Sequence, residues 1–519
     1  MSLVFLFHRT SLLSTLVIGF LFLDLQVLGA HGFGERYDLP VPLNWYLFGA
    51  GSVVALSFLL VSVFFRIVGN PDRVYNLSIG NSFQFQVLVF RLFVPLVKFV
   101  SSALLLFMLF GGFVGSVEPN QNIGPTLVWI IVWVGLIYFN ALLFNVWAFL
   151  NPWKNIYILF LNLFSRSKPE AVYAGKINYP DRLGKWPALI FLVIFSWFEI
   201  VSPNSGSPFY ISLVTIMYSV ITFFGMYLFG PFTWLANGEL FSVTFQLVSK
   251  CSPVVFSLSS RKFCSNCIEC SDEKESCYGC EYCFDRAPIS EKRFKLRRFA
   301  SGLYTAKFIS NSEIYFVLIL LSLVTFDGVS ETPFWANVVS LAISLLGGVL
   351  DDPVQLIFTF GLFGSFLMFI TVYFLSCWVM SRAIIKRYTT SEISRILVYS
   401  LIPIAVGYHI AHYFSFLLIQ GQAIIYLVSD PMGLGWNLFQ TSGYQLYLGI
   451  VNAKIAWIVG IFAIVVGHVT AVYASHYSAL LKFSQYTDVL RSQRVMLVVM
   501  VMYTIVGLWI LAQPIVEIS

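Results

Sequence analysis

The chain has 519 residues, of which 58% are hydrophobic, 18% aromatic and only 11% charged. A soluble protein carries about 25% charged residues, so this composition excludes an ordinary water-soluble globule. The formal net charge of +6 does not mark a nucleic-acid partner, because the basic residues fall in alternate loops, a signature of membrane topology.

Residues 1–30 read as a signal segment. His8 and Arg9 precede an apolar run from Leu12 to Leu23, and Leu28-Gly29-Ala30 resembles a small-residue cleavage site. The competing reading is an uncleaved first span interrupted by Asp24. Cleavage after Ala30 would leave His31 as the mature N-terminus.

A membrane-spanning helix needs about 20 apolar residues. Ten such stretches follow the signal. Five lie in residues 31–230, near Trp45–Phe65, Leu92–Val114, Leu127–Leu150, Trp186–Val201 and Phe209–Phe229. Five lie in residues 311–519, near Glu313–Thr325, Val354–Val379, Arg395–Ile419, Ala453–Tyr473 and Val495–Leu511. The expected fold is therefore an all-α, multi-pass membrane protein. Loop charges orient it. One set of alternate loops carries Arg66, Arg73, Lys154, Arg166, Arg382, Lys386 and Arg491, while the other carries Glu118, Asp327, Glu331, Asp352 and Asp430. Lys and Arg resist translocation, which places the first set in the cytoplasm and both mature termini outside the cytoplasmic membrane. Five spans per half would make the halves inverted relative to one another, as in many secondary transporters. Two unrelated halves fit the count equally, and the halves show no clear sequence match.

Residues 231–310 form a long loop on the cytoplasmic side. Leu235–Val248 looks amphipathic and suits the membrane surface. Lys292–Arg298 is a basic patch that suits anionic headgroups. Between them stand Cys264, Cys267, Cys270, Cys277, Cys280 and Cys283, two CxxCxxC triplets. Disulfides are disfavoured in the cytoplasm, so this spacing points to thiolates holding a metal. Zinc and an iron–sulfur cluster both suit such ligands, and the fourth cysteine comes too late for the ferredoxin run. The loop is then a structural zinc knuckle or a point of electron entry.

Several segments resemble a group of bacterial polytopic membrane proteins often labelled fenitrothion-hydrolase-like. They include Ala30–Gly49, FLNPWKNIY at Phe149–Tyr157, WFEIVSP at Trp197–Pro203, TFDGVSETPFW at Thr325–Trp335, YHIAHYFSFLLIQGQ at Tyr408–Gln422 and GHVTAVYASHYSALL at Gly467–Leu481. The resemblance covers nearly all of the mature chain and implies organophosphate-ester hydrolysis. The cysteine loop departs from it.

Ionisable residues within apolar spans are expensive and normally face the bundle interior. His409 and His412 are three apart on one helix and so share a side. With Glu199 and Asp327 they are expected to line an outward-facing polar cavity, with His468 deep in the following span. Two histidines and carboxylates suit a divalent metal. His31 is a further outer ligand if cleavage frees its amine. Three functions follow: a transporter or metal-handling protein moving an ion or small molecule, a metal-dependent hydrolase, and an electron-transfer subunit. Hydrogen bonds between helices are the plainer alternative role for each histidine.

Overall fold

The computed structural model describes residues 39–64, 78–79, 82–164, 173, 175–260, 278–304, 309–346, 352–384 and 388–515. In chain order these build α1 (Leu43–Phe64), β1 (Ser78–Ile79), α2 (Val94–Val114), α3 (Ile123–Leu142), α4 (Pro152–Phe164), α5 (Trp186–Ile200), α6 (Pro208–Phe229) and α7 (Leu240–Val248). They continue with β2 (Val254–Leu258), β3 (Lys292–Leu296), α8 (Asn311–Ser330), α9 (Pro333–Leu346), α10 (Val354–Ala383), α11 (Ile402–Gln420), α12 (Ala453–Lys482) and α13 (Tyr486–Ile515). The fold is an all-α polytopic membrane protein. In hydrocarbon a backbone must satisfy its own hydrogen bonds, which is why these apolar runs become helices. Their ends are capped where the chain emerges. Ser310 Oγ accepts from Glu313 N, Asn452 Oδ1 from Ile455 N, and Thr389 forms a reciprocal capping box with Glu392.

Among the described residues, nine helices are long and apolar enough to cross a membrane: α1, α2, α3, α6, α8, α10, α11, α12 and α13. The sequence reading expected ten. The difference is α5, which has only 15 residues and rises about 22 Å, yet it still runs from Lys185, whose N–H donates to Ser312 at the start of α8, to Glu199 beside Asp327 in the last turn of α8. Pro187 fixes its first turn and Pro203 follows its end. By contrast α8, which looked short in sequence, runs for 20 residues.

The packing centres on α8, where 15 of the 20 residues are buried. It lies against α5, α10 and α11, and α11 lies along α12. That last pair approaches closely because glycines face each other. A Cβ on Gly407 would stand 2.5 Å from the Ala463 carbonyl oxygen, and one on Gly467 would stand 2.7 Å from that of Pro403. Small residues let helix backbones touch in this way inside a membrane.

One expectation for the long loop is corrected. Leu235–Val248 does not lie along a surface. It breaks at Gly238 into two helices, and eight of the nine residues of α7 are buried, all but Gln246. A helix buried on nearly every side belongs inside a bundle. The basic patch is half-buried and built into a sheet, with Arg298 exposed at its end. Lys292–Leu296 is the central strand of a three-stranded antiparallel sheet, order β1-β3-β2, with Phe256 paired to Phe294. Arg297 turns inward, where its Nε donates to the Ser252 carbonyl at 2.8 Å and burial lowers its pKa to about 10.

Candidate functional site

The polar centre sits where α8, α11, α3 and α5 meet. Asp327 lies in the last turn of α8, and His412 is buried in the middle of α11. His412 Nε2 donates to Asp327 Oδ2 at 2.9 Å. The hydroxyl of Tyr413 donates to the same carboxylate oxygen. Tyr413 stands between the two histidines, its ring 4.7 Å from that of His409 and 4.6 Å from that of His412.

Glu199, in the last turn of α5, brings a second carboxyl close enough to Asp327 to interact with its charge, and it also meets Trp133 of α3. Among the described residues its Oε2 is buried with no hydrogen-bond partner, as is Nε2 of His409. His409 packs edge-on against Trp133 and Tyr138. With Tyr413 it lines a cavity of about 20 Å³, enough for one water molecule. Of the side chains expected around an outward-facing cavity the two histidines are enclosed, His409 4% exposed and His412 5%, while the Asp327 side chain keeps 20% of its surface exposed.

His468 stands apart from this group on α12. Its Nδ1 donates to the Ile464 carbonyl at 2.8 Å, and its ring lies 5.6 Å from that of Tyr503. A carbonyl only accepts, so Nδ1 carries the proton and Nε2, which has no partner among the described residues, is the atom left to accept.

Among the described residues no three His, Cys, Asp or Glu side chains form a group that could hold a metal ion. At the polar centre His412 and Asp327 bond to each other rather than converging on a common point, so they do not make the three- or four-ligand cage that zinc uses. Cys264, Cys267, Cys270 and Cys277 lie outside the described residues, as do His31 and the whole of residues 1–30. Cys280 and Cys283 are described. Both are buried in a small apolar cluster with Phe256, Leu258 and Phe284.

Sequence reasoning missed Trp133, Tyr138 and Tyr413. The available signal was the i, i+1 step from His412 to Tyr413, hidden by the abundance of tyrosine. It also missed that α3 widens into a π-helix over Thr126–Gly135. Such segments often accompany functional sites, and this one carries Trp129 and Trp133.

A second polar network was missed at the cysteine-loop end. Glu239 caps α7 by accepting from Phe241 N at 3.0 Å and Ser242 N at 2.7 Å. It also accepts from Asn151 Nδ2 at 3.2 Å and from the Tyr218 hydroxyl. Nearby, Lys154 pairs with Glu281 and Lys98 with Asp285, each at 3.4 Å. These pairs fix the cysteine-bearing segment to α2 and α4. Comparison with protein families, with characterised proteins and with solved structures finds no match for this chain.

Proposed function

We propose that this membrane protein is a proton-coupled transporter whose exchange site is the group of Asp327, His412, Glu199 and His409. The observation that carries this reading is the His412–Asp327 bond beside a second carboxyl, Glu199, which bonds to Trp133 and keeps Oε2 without a hydrogen-bond partner among the described residues. Ionisable groups within membrane-spanning bundles are costly and mark ion and proton pathways. His412 compensates Asp327. The open Oε2 of Glu199 is the atom that takes up a proton or a cation. His409 Nε2, beside a cavity of water size, gives that proton a neighbouring acceptor. The cysteine triplets would hold zinc or an iron–sulfur cluster on the cytoplasmic side, stiffening the loop or feeding electrons to it.

The test is proton uptake by proteoliposomes containing a trapped pH dye, driven by a potassium–valinomycin potential. Uptake above that of empty liposomes is expected from the wild type and should disappear in Asp327→Asn and His412→Ala. Equal uptake by wild type and both variants would overturn the proposal. A parallel assay offers a chromogenic phosphotriester. Product release that depends on His409 and His412, without proton uptake, would replace transport by the hydrolysis that the sequence resemblance implies.

A further inference from the structure

A second feature stands apart from the polar centre. An apolar cavity of about 430 Å³ lies between α2, α3, α5, α6 and α7, within the size range of ligand sites. Its floor, at the cysteine-loop end, is made by Trp147, Trp153 and Phe241, and it reaches Trp129 at the other end. Along α6 its lining runs from Ile211 to Ile221, about 15 Å of helix. That matches one leaflet of a bilayer whose hydrocarbon core is about 30 Å thick. The lining residues Ile194 of α5 and Met217 and Ile221 of α6 are 53%, 52% and 46% exposed. The cavity therefore opens sideways between α5 and α6, towards lipid.

Most polar groups in its walls are already engaged. Trp129 Nε1 donates to the Ser205 carbonyl, Trp153 Nε1 to Ser219 Oγ and Thr215 Oγ1 to the Ile211 carbonyl, at 2.7–2.8 Å. The Tyr218 hydroxyl donates to Glu239. Trp147 is different. It is 3% exposed, and its Nε1 has no partner among the described residues. That nitrogen is shut off from the cavity, so the walls offer an occupant no open polar group and suit an apolar one. Trp147 also sits just beyond the end of α3, at the depth where lipid esters meet tryptophan side chains.

We infer that this cavity holds one acyl chain of a membrane glycerolipid, which enters sideways between α5 and α6. The inference does not rest on the transport reading.

The full chain, reconstituted with diazirine-acyl phosphatidylethanolamine or with its phosphatidylglycerol counterpart, is irradiated and the adducts are mapped. Adducts are expected on the enclosed residues Leu105, Met108 and Phe241 in competition with unlabelled lipid. Labelling by one lipid or by both tells whether the headgroup is selected. Met217→Trp, at the exposed mouth, should abolish enclosed labelling and leave labelling of the outward-facing Phe99 unchanged. Adducts confined to outward faces, enclosed labelling undiminished in Met217→Trp, or a cross-link to a second copy of the chain through the cavity would each overturn the inference.

Discussion

At the scale of single residues, stability concentrates where one side chain answers several buried groups. Glu239 caps α7 and also receives Asn151 and Tyr218. Glu239→Ala removes a cap worth about 1 kcal/mol and strands two partners at about 1–3 kcal/mol each, so a loss of about 3–7 kcal/mol is expected. Thermal unfolding in detergent would read it, with Glu239→Gln in between. Equal melting of wild type and Glu239→Ala would show that the network is not structural. Asp285 gives a pH dependence instead. Burial pushes its carboxyl up, but Lys154, Lys98 and Lys292 outweigh burial and hold it below its ordinary value. A depressed carboxyl contributes stability that is complete above its unfolded pKa of about 3.9 and is lost as pH falls through the folded value. Docking of residues 278–296 should therefore weaken below about pH 4. Pepsin cleavage of that segment should rise steeply there, and Asp285→Asn should flatten the dependence and raise cleavage near its upper limit. The residues of the polar centre were partly legible, since ionisable groups in apolar runs stand out in any sequence. Their arrangement was not. Only the structure pairs His412 with Asp327, because those two come from helices some eighty residues apart in the chain, and Tyr413, although next to His412, gives no sign in sequence that it bonds the same carboxylate.

At the scale of elements, the hydrophobic run is a good guide to where a helix is and a poor guide to what surrounds it. The long spans are close to their expected bounds. The surprises fall where length or burial decides the outcome: α5 is short for a span, and α7 is buried on nearly every side. Nothing in a local pattern separates a surface helix from a buried one when serine and threonine supply most of its polar positions. The contact of α11 with α12 is equally hidden, since Gly407 and Gly467 look like any glycines in a span. Gly407→Ala places a methyl against the Ala463 backbone oxygen, which cannot move aside as a flexible side chain would. Overpacking of this kind costs about 1–3 kcal/mol, and it separates two helices that carry His412 and His468. Gly364, in the middle of α10, is the control, because a Cβ there meets nothing within 4 Å. Gly364→Ala should leave melting unchanged or raise it by the better helix propensity of alanine, while Gly407→Ala lowers it. If both variants melted alike, the close approach of α11 and α12 would be of no consequence.

At the scale of the whole molecule, the two ends of the bundle differ in kind. One end carries the sheet, the basic strand β3, the Lys–carboxylate pairs and the cysteine-bearing segment. The other carries Glu199, Asp327 and the long loop after α11, where Asp430 accepts from the backbone N–H groups of Leu434, Gly435 and Trp436. The cost of moving Lys and Arg across a bilayer predicts that the first end faces the cytoplasm and the second the outside. That orientation can be read directly. A protease recognition sequence inserted at Ser442, exposed in the loop after α11, should be cut in intact cells by protease added outside. The same sequence at Ser290, exposed beside β3, should be cut only after the membrane is opened. The reverse pattern would invert the molecule, so that the polar centre would load from the cytoplasm. The direction of proton uptake would then reverse as well, because Glu199 and Asp327 both lie near the helix ends that face the Ser442 loop, and access to them follows whichever side that loop occupies.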